Sequence, residues 1–433
     1  MTLLIEGGRV LLSDLSVEPA DVLVDADAGT IETVGPPDEV QDAEETLDAS
    51  GGLVVPGLVN AHTHVAMTLL RGYADDKPLD AWLTEDVWPV ESEMTPEDVR
   101  AGAELGILEM IRSGTTTFSD MYFHVPEIAA AVEESGVRAV LGHTAITVQK
   151  EPEEARADLQ ESLDVARELD GAADGRVTTT FQPHSLTTVG TDYLEAFLPE
   201  VREAGLPVHL HANETAGEVD PIVDEHGVRP LEYARELGLV EPGDFIAHGV
   251  HVDDSEIDLL AETGAGLAHC PASNMKLASG IAPVQRYLDA GVPVGLGTDG
   301  AASNNDLDLF DEMRDAAMVG KLAANDASAV DAHAAVGMAT RGGADVLGLD
   351  VGRIEPGAAA DLAVVDLDAP HLTPSPDDRL VSHLAYAARG SDVRHTVCAG
   401  RVLMRDREVL TMDARAVQDR TAARAADLVD RAA

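Results

Sequence analysis

Between residues 57 and 346 the chain repeats one pattern eight times: a short apolar, β-branched run, then a segment long enough for a helix. The runs lie at 58–61, 115–119, 137–142, 177–182, 207–211, 245–248, 265–269 and 292–298. Short runs that are apolar on both faces are how parallel strands look when helices cover the sheet. The clearest helical patterns, at 97–112, 152–169, 193–203, 231–237, 255–262 and 283–290, each fall between two such runs. Eight units in succession predict an α/β fold of the TIM type, a closed (β/α)8 barrel over 57–346, which typically takes about 250 residues plus insertions. A doubly wound open sheet is the competitor, and eight consecutive units favour closure.

The flanks have another texture. Residues 1–56 show short strand-like runs at 3–5, 9–12, 21–24 and 30–34, separated by Gly, Pro and Asp clusters. Residues 352–410 look alike, with apolar runs at 361–366 and 394–402, and the Ala-, Arg- and Asp-rich tail after Met412 predicts a final helix. The two ends are expected to pair into one small β-sandwich domain, made from 1–56 and 347–433, beside the barrel.

Charge narrows the partners. There are 79 acidic against 29 basic residues, a formal −50, and the only lysines are Lys77, Lys150, Lys276 and Lys321. Such a surface repels phosphate backbones and anionic lipids, which argues against nucleic-acid and membrane-surface roles. The excess is spread along the chain, as expected of a halophilic cytoplasmic protein whose repulsion is screened by salt. Cys270 and Cys398 are too few for a disulfide framework or a cysteine-rich zinc site. Glu6 interrupts the apolar run a signal peptide would need, and no stretch reaches about 18 consecutive apolar residues.

In a barrel, chemistry gathers where the strands end. The first run ends in Asn60-Ala61-His62-Thr63-His64, and the fourth in Gln182-Pro183-His184. The fifth ends in His209-Leu210-His211 followed by Ala212-Asn213-Glu214, the sixth in Ala247-His248, and the eighth in Gly297-Thr298-Asp299. Side chains alternate along a strand, so His62 and His64 face the same way and can grip one ion. His211 and Asp299 complete a set of three imidazoles and one carboxylate, compatible with Zn²⁺ or Fe²⁺. Asp299 would otherwise cap the turn that follows it. Glu214, three residues past His211, can come back over the ion as a proton-moving carboxylate. His248 is placed to bond the attacking water, whereas His209, His251 and His269 are expected to be structural. A two-metal site would need a bridging group such as a carbamylated lysine, and no lysine ends a middle strand. One divalent ion per chain is therefore expected.

Several motifs in order carry a resemblance. They are Pro56-Gly57-Leu58-Val59-Asn60-Ala61-His62-Thr63-His64, Thr68-Leu69-Leu70-Arg71-Gly72, Trp82-Leu83 with Trp88-Pro89-Val90-Glu91, and Asp120-Met121-Tyr122-Phe123. Pro183-His184-Ser185, the His211 to Glu214 element, Ala247-His248, Pro271-Ala272-Ser273-Asn274-Met275-Lys276-Leu277 and Gly297-Thr298-Asp299-Gly300 follow. Over nearly its whole length the chain resembles the amidohydrolase superfamily, and within it the 5-methylthioadenosine/S-adenosylhomocysteine deaminases. The resemblance implies that His62, His64, His211 and Asp299 hold zinc and that Glu214 protonates N1 of an adenine ring. It also implies that His248 orients the water, that His184 meets the purine N3 edge, and that Glu91 accepts bonds from ribose hydroxyls. Trp82 falls among the substrate-binding residues. A small-molecule nucleoside is then the partner, and a homo-oligomer is expected.

The chain departs from that family at one place. Members that handle S-adenosylhomocysteine offer arginines after the third strand for the amino-acid carboxylate. Here the stretch 142–150 contains none, and Lys150 supplies a point charge rather than a bidentate fork. Methylthioadenosine, 5′-deoxyadenosine and adenosine stay open as substrates. A guanine deaminase, a triazine chlorohydrolase and, more remotely, a non-catalytic metal-binding barrel are the alternatives.

Overall fold

The computed structural model describes residues 1–36 and 43–433. The apolar runs of the middle region become nine strands. These are β1 (Leu58–Thr63), β2 (Thr115–Tyr122), β3 (Arg138–Ala145), β4 (Val177–Thr179), β5 (Gln182–Pro183), β6 (His209–Ala212), β7 (Phe245–His248), β8 (Gly266–His269) and β9 (Val294–Leu296). β1 to β4 pair in chain order with β5 alongside β3, and β6 to β9 pair in order in a second sheet. Every one of these pairings is parallel. Isolated parallel bridges Phe181–Val208 and Ser185–His211 join the first sheet to the second. At the opposite edges, the N–H of Asp299 just past β9 donates to the carbonyl of His62 on β1 at 3.0 Å. Asn60 adds two bonds to Thr298 there, at 2.7 and 3.0 Å.

Helices separate the strands where the sequence places them, including Pro96–Arg112, Pro152–Leu169, Thr191–Glu203, Pro230–Leu237, Asp254–Thr263 and Val284–Ala290. Local chemistry starts several of them: Thr95 and Asp98 form a capping box before Pro96, and Asp253 and Glu256 do the same before Asp254. The buried helix faces and the strands share one large apolar cluster. Close approach also has a sequence cause. A Cβ on Gly57 would lie 2.2 Å from Thr116 Oγ1, so glycine lets β1 begin against β2.

Two runs differ from expectation. The run 177–182 is not one strand: β4 stops at Thr179, and Gln182–Pro183 pairs separately with Thr144 and Ala145. The Thr180 N–H still reaches the Leu141 carbonyl, whereas the Phe181 N–H has switched to Pro207. The chain therefore steps from one neighbouring strand to the other between these residues. The run 292–298 ends as a strand at Leu296, because the Thr298 N–H is taken by the Asn60 side chain instead of a ladder carbonyl.

The chain ends interlock, as the shared texture suggested. One four-stranded sheet is built from Thr2–Glu6, Asp21–Asp25, Thr30–Gly35 and Glu45–Asp48. A seven-stranded sheet runs Glu408–Val409, Arg401–Arg405, Val393–Cys398, Leu362–Asp366, Gly52–Pro56, Arg9–Leu11, Val17–Pro19. Leu3, Ile5, Val22 and Val24 of the first sheet share a buried cluster with Val10, Val54, Leu362 and Val397 of the second. A helix at Leu380–Tyr386 has no counterpart in the sequence reading, and Ala414–Ala432 is the expected final helix. No helix among the described residues is long and apolar enough to cross a membrane.

The formal −50 is a force on this fold. At molar salt the screening length is about 3 Å, but at about 0.01 M it is near 30 Å and reaches across much of the surface. Transfer to low ionic strength is expected to lower the melting temperature and the activity together. Full activity and an unchanged melting curve at about 0.01 M salt would remove the screening argument.

Candidate active site

His62, the penultimate residue of β1, is fully buried, with His64 one residue past the strand. His211 comes from β6 and His248 ends β7, while Asp299 follows β9. One donor atom from each of His62, His211, His248 and Asp299 lies within 4.8 Å of the others. His64 is outside that tightest grouping but borders it: its Nε2 is 3.1 Å from Asp299 Oδ1, and His62 Nε2 is 3.4 Å from the same oxygen. The structure thus places the four candidate ligands named from the sequence close together, with His248 among them.

Each imidazole is anchored through its other nitrogen. His64 Nδ1 bonds the Met121 carbonyl at 2.6 Å, and His211 Nδ1 bonds the His184 carbonyl at 2.8 Å. His248 Nδ1 lies 2.9 Å from Asn274 Oδ1, and His62 Nδ1 lies 3.1 Å from His209 Nε2. Carbonyl oxygens only accept, so at His64 and His211 a proton sits on Nδ1 and Nε2 faces inward, as a lone pair wherever the ring is neutral. His62 Nε2 is buried with no hydrogen-bond partner. Asp299 Oδ2 accepts from Ser273 at 2.6 Å and from Ser303 at 2.9 Å, leaving Oδ1 to face the histidines. Convergent imidazole lone pairs, one free carboxylate oxygen and fixed outer partners are the donor set of a tetrahedral or five-coordinate divalent ion.

The electrostatics agree. Burial, followed by its imidazole neighbours, holds His211 well below the ordinary histidine range. Burial takes His62 down to about 4, whereas at His64 the bond and charge of Asp299 outweigh burial and lift it to about 9. The one carboxylate stabilises a positive charge in its immediate field, which is what a cation site must do.

Backbone strain marks the same residues. Asn213, His248 and Asp299 have left-handed φ values of 56°, 75° and 59°. Such conformations cost of order 1–3 kcal/mol each and persist where surrounding structure imposes them. At Asn213 the constraint is visible: its carbonyl accepts the N–H groups of Val250 and His251, and its Nδ2 donates to Glu256. Gly297 makes room beside the ligands, since a Cβ there would meet His62 Cβ at 2.9 Å.

Glu214 Oε2 lies 3.7 Å from His248 Nε2, and Glu214 Oε1 accepts from Ser279 at 3.2 Å. Burial raises the Glu214 pKa, with His248 partly offsetting it, so the group is displaced toward the range where it can hold a proton. A pocket opens from these groups past His184, Met121 and Phe123 to Trp82, Trp88 and Glu91. His184 is pushed down to about 3 by burial and by neighbouring imidazoles, so it is neutral; its Nδ1 bonds Thr188 Oγ1 at 2.9 Å. Glu91 is raised to about 7 by burial despite the 2.6 Å bond it accepts from Tyr122. Trp82 donates to the Ala74 carbonyl at 3.0 Å and shows the pocket its ring.

The residues held to be structural lie off the pocket. His209 stacks on Phe245 at 4.1 Å behind His62. His251 Nε2 bonds the Ser279 carbonyl at 2.6 Å, and His269 is buried on β8, paired with Leu296 of β9. Sequence reasoning missed the roles of Ser273, Asn274 and Tyr122, although the stretches 271–277 and 120–123 stood out as motifs.

Residues 53–403 match the model of the amidohydrolase family. A 5-methylthioadenosine/S-adenosylhomocysteine deaminase of Haloarcula marismortui is 71% identical, over 99% of both chains. A 5′-deoxyadenosine deaminase of Methanothermobacter thermautotrophicus is 44% identical, over 89% of this chain and 90% of its own. Among solved structures, an adenosine deaminase from Xanthomonas campestris with bound zinc superimposes with a TM-score of 0.91 at 39% identity, covering 99% of this chain and 98% of that one.

Proposed function

Because the chain belongs to the amidohydrolase family, we propose that it is a metal-dependent deaminase that hydrolyses an adenosine derivative to the inosine analogue and ammonia. The carrying observation is Glu214, 3.7 Å from His248 at the mouth of a cluster of imidazoles and one carboxylate. The names of its relatives, from methylthioadenosine to 5′-deoxyadenosine deaminase, agree on the ring and differ in the 5′ group.

His62, His64, His211 and Asp299 would hold one ion, most suitably Zn²⁺, as in the zinc-bound structural relative. A bound divalent ion supplies a water that ionises near pH 7 rather than near 16. His248 faces both Glu214 and the ligand cluster, so its Nε2 is assigned to orienting the attacking water rather than to coordination. Glu214 delivers a proton to ring N1, which makes C6 electrophilic, then takes a proton from the added water and passes it to the departing ammonia. His184, neutral and fixed by Thr188, meets the N3 edge, and Glu91, fixed by Tyr122, accepts from the ribose. Trp82 packs beside them.

Residues 57–346 form the catalytic unit, its two parallel sheets closing as one (β/α)8 barrel through the bridges at Phe181 and Ser185 and the Asp299–His62 bond. The interlocked ends, 1–56 and 347–433, form a β-sandwich domain on their shared apolar cluster.

Ammonia release tests the reading. Methylthioadenosine, 5′-deoxyadenosine or adenosine should be deaminated, and guanine or a chlorotriazine should not; turnover of the last two alone would overturn it. Elemental analysis of protein purified without added metal should give one divalent ion per chain. Lys77, Lys150, Lys276 and Lys321 are all engaged elsewhere, with Asp86, Asp158, Ala302 and Ala329 respectively, so none is free to be the bridging lysine of a second ion. Two ions at full occupancy would contradict the mononuclear assignment.

A further inference from the structure

We propose that Asp158 sets the substrate range of this site. By pairing with both His143 and Lys150, it leaves the cavity beyond Glu91 with no free permanent cation. Nucleosides with an uncharged 5′ substituent are then favoured over those whose 5′ chain ends in a carboxylate. The inference rests on the nucleoside-deaminase reading above.

A second, outer cavity adjoins the inner pocket and shares Trp88, Glu91, Phe123 and Ile146 with it. On the base and ribose placement proposed above, the 5′ substituent would enter this outer space, because Glu91 borders both cavities. Lys150 is the only lysine or arginine among the lining residues, and His143 lines the cavity from β3. Asp158, on the helix Pro152–Leu169, stands behind both. Its Oδ1 is 3.1 Å from His143 Nε2, and its Oδ2 is 2.7 Å from Lys150 Nζ and accepts the Ile146 N–H at 2.7 Å. The carboxylate is 12% exposed, so it is a fixed partner rather than a passing surface contact. Glu161 places a second carboxylate 3.6 Å from His143 Nδ1.

The balance of charge decides the preference. Lys150 is already neutralised, and beyond it the wall offers the carboxyl groups of Glu91 and Glu161 and the imidazoles of His124 and His143, with no further permanent cation. An incoming carboxylate must therefore displace Asp158 from Lys150 or lie against like charge, and either is unfavourable. A methyl or methylthio group meets Trp88, Phe123, Ile146 and Val148 instead. Salt does not erase the difference. Asp158 is 12% exposed, and partly buried pairs are screened much less than exposed ones.

The test compares kcat/KM for 5′-methylthioadenosine and S-adenosylhomocysteine at one fixed salt concentration. The parent should favour methylthioadenosine by at least about tenfold, equivalent to about 1.4 kcal/mol. Asp158→Asn keeps an acceptor for the Ile146 N–H while releasing Lys150. It should narrow that ratio by at least about threefold, within the scale of one partly exposed charge interaction. Lys150→Gln in the parent should move the ratio by less than about twofold, since its charge is already engaged. Equal use of both substrates by the parent would overturn the inference. So would a Lys150→Gln protein that loses about tenfold or more on S-adenosylhomocysteine alone, because Lys150 would then be its anchor. A parent that releases ammonia from neither nucleoside fails at the deaminase reading itself, a distinct result.

Discussion

Replacing Glu214 by glutamine is expected to lower turnover by about 10²–10⁴-fold, the usual worth of one positioned proton-transfer group. Fold and metal content should be unchanged. The amide is nearly isosteric with the acid and can still accept from Ser279, whose hydroxyl lies 3.2 Å from Oε1. It cannot deliver a proton to the ring nitrogen or collect one afterwards. The Glu214 N–H is held independently by Glu218 at 2.8 Å, so the main chain has no reason to move. Ammonia release, elemental analysis and thermal melting on one preparation separate these effects. Near-parental turnover with the ion still bound would leave Glu214 as one more acid on an acidic protein.

His211→Ala should fail differently, by losing the ion first and activity as a consequence. Changing residues that merely support metal ligands costs about 10–100-fold in affinity, so removing a ligand should cost at least about 10²-fold. Dialysis against a mild chelator should strip the variant under conditions that leave the parent loaded. Turnover should return only when excess Zn²⁺ is supplied. If the variant keeps one ion per chain through dialysis, His211 is not a ligand. The two substitutions lie three positions apart, yet they predict opposite outcomes in metal content.

Much of this site was legible because its spacing is local. His62 and His64 follow from strand alternation, and the step from His211 to Glu214 is a strand end followed by its loop. The strand-and-helix rhythm of 57–346 is likewise a short-range signal. What lay out of reach depends on distant partners. Nothing near Asp299 in sequence announces Ser273, and nothing near His248 announces Asn274, although each pair is in hydrogen-bond contact. The break after Thr179 arises because Phe181 changes its partner to Pro207, a choice made by the neighbouring strand. His248 is the instructive case: it was placed at the rim from its strand, but its membership of the tightest donor group is a property of three other strands. The outer cavity, too, was reduced in sequence to a missing arginine, and only the structure reveals Asp158 behind Lys150.

The bond from Asp299 to His62 has a consequence for how the protein is made. The ligand cluster is contributed by segments that leave the ribosome far apart in time, His62 and His64 early and Asp299 last. A nascent chain halted before Asp299 can offer the imidazoles but not the carboxylate that stabilises a cation among them. On the proposed ligand set, a chain truncated before Asp299 has no complete site. A firmly held ion would then require that the first and last strands have found each other.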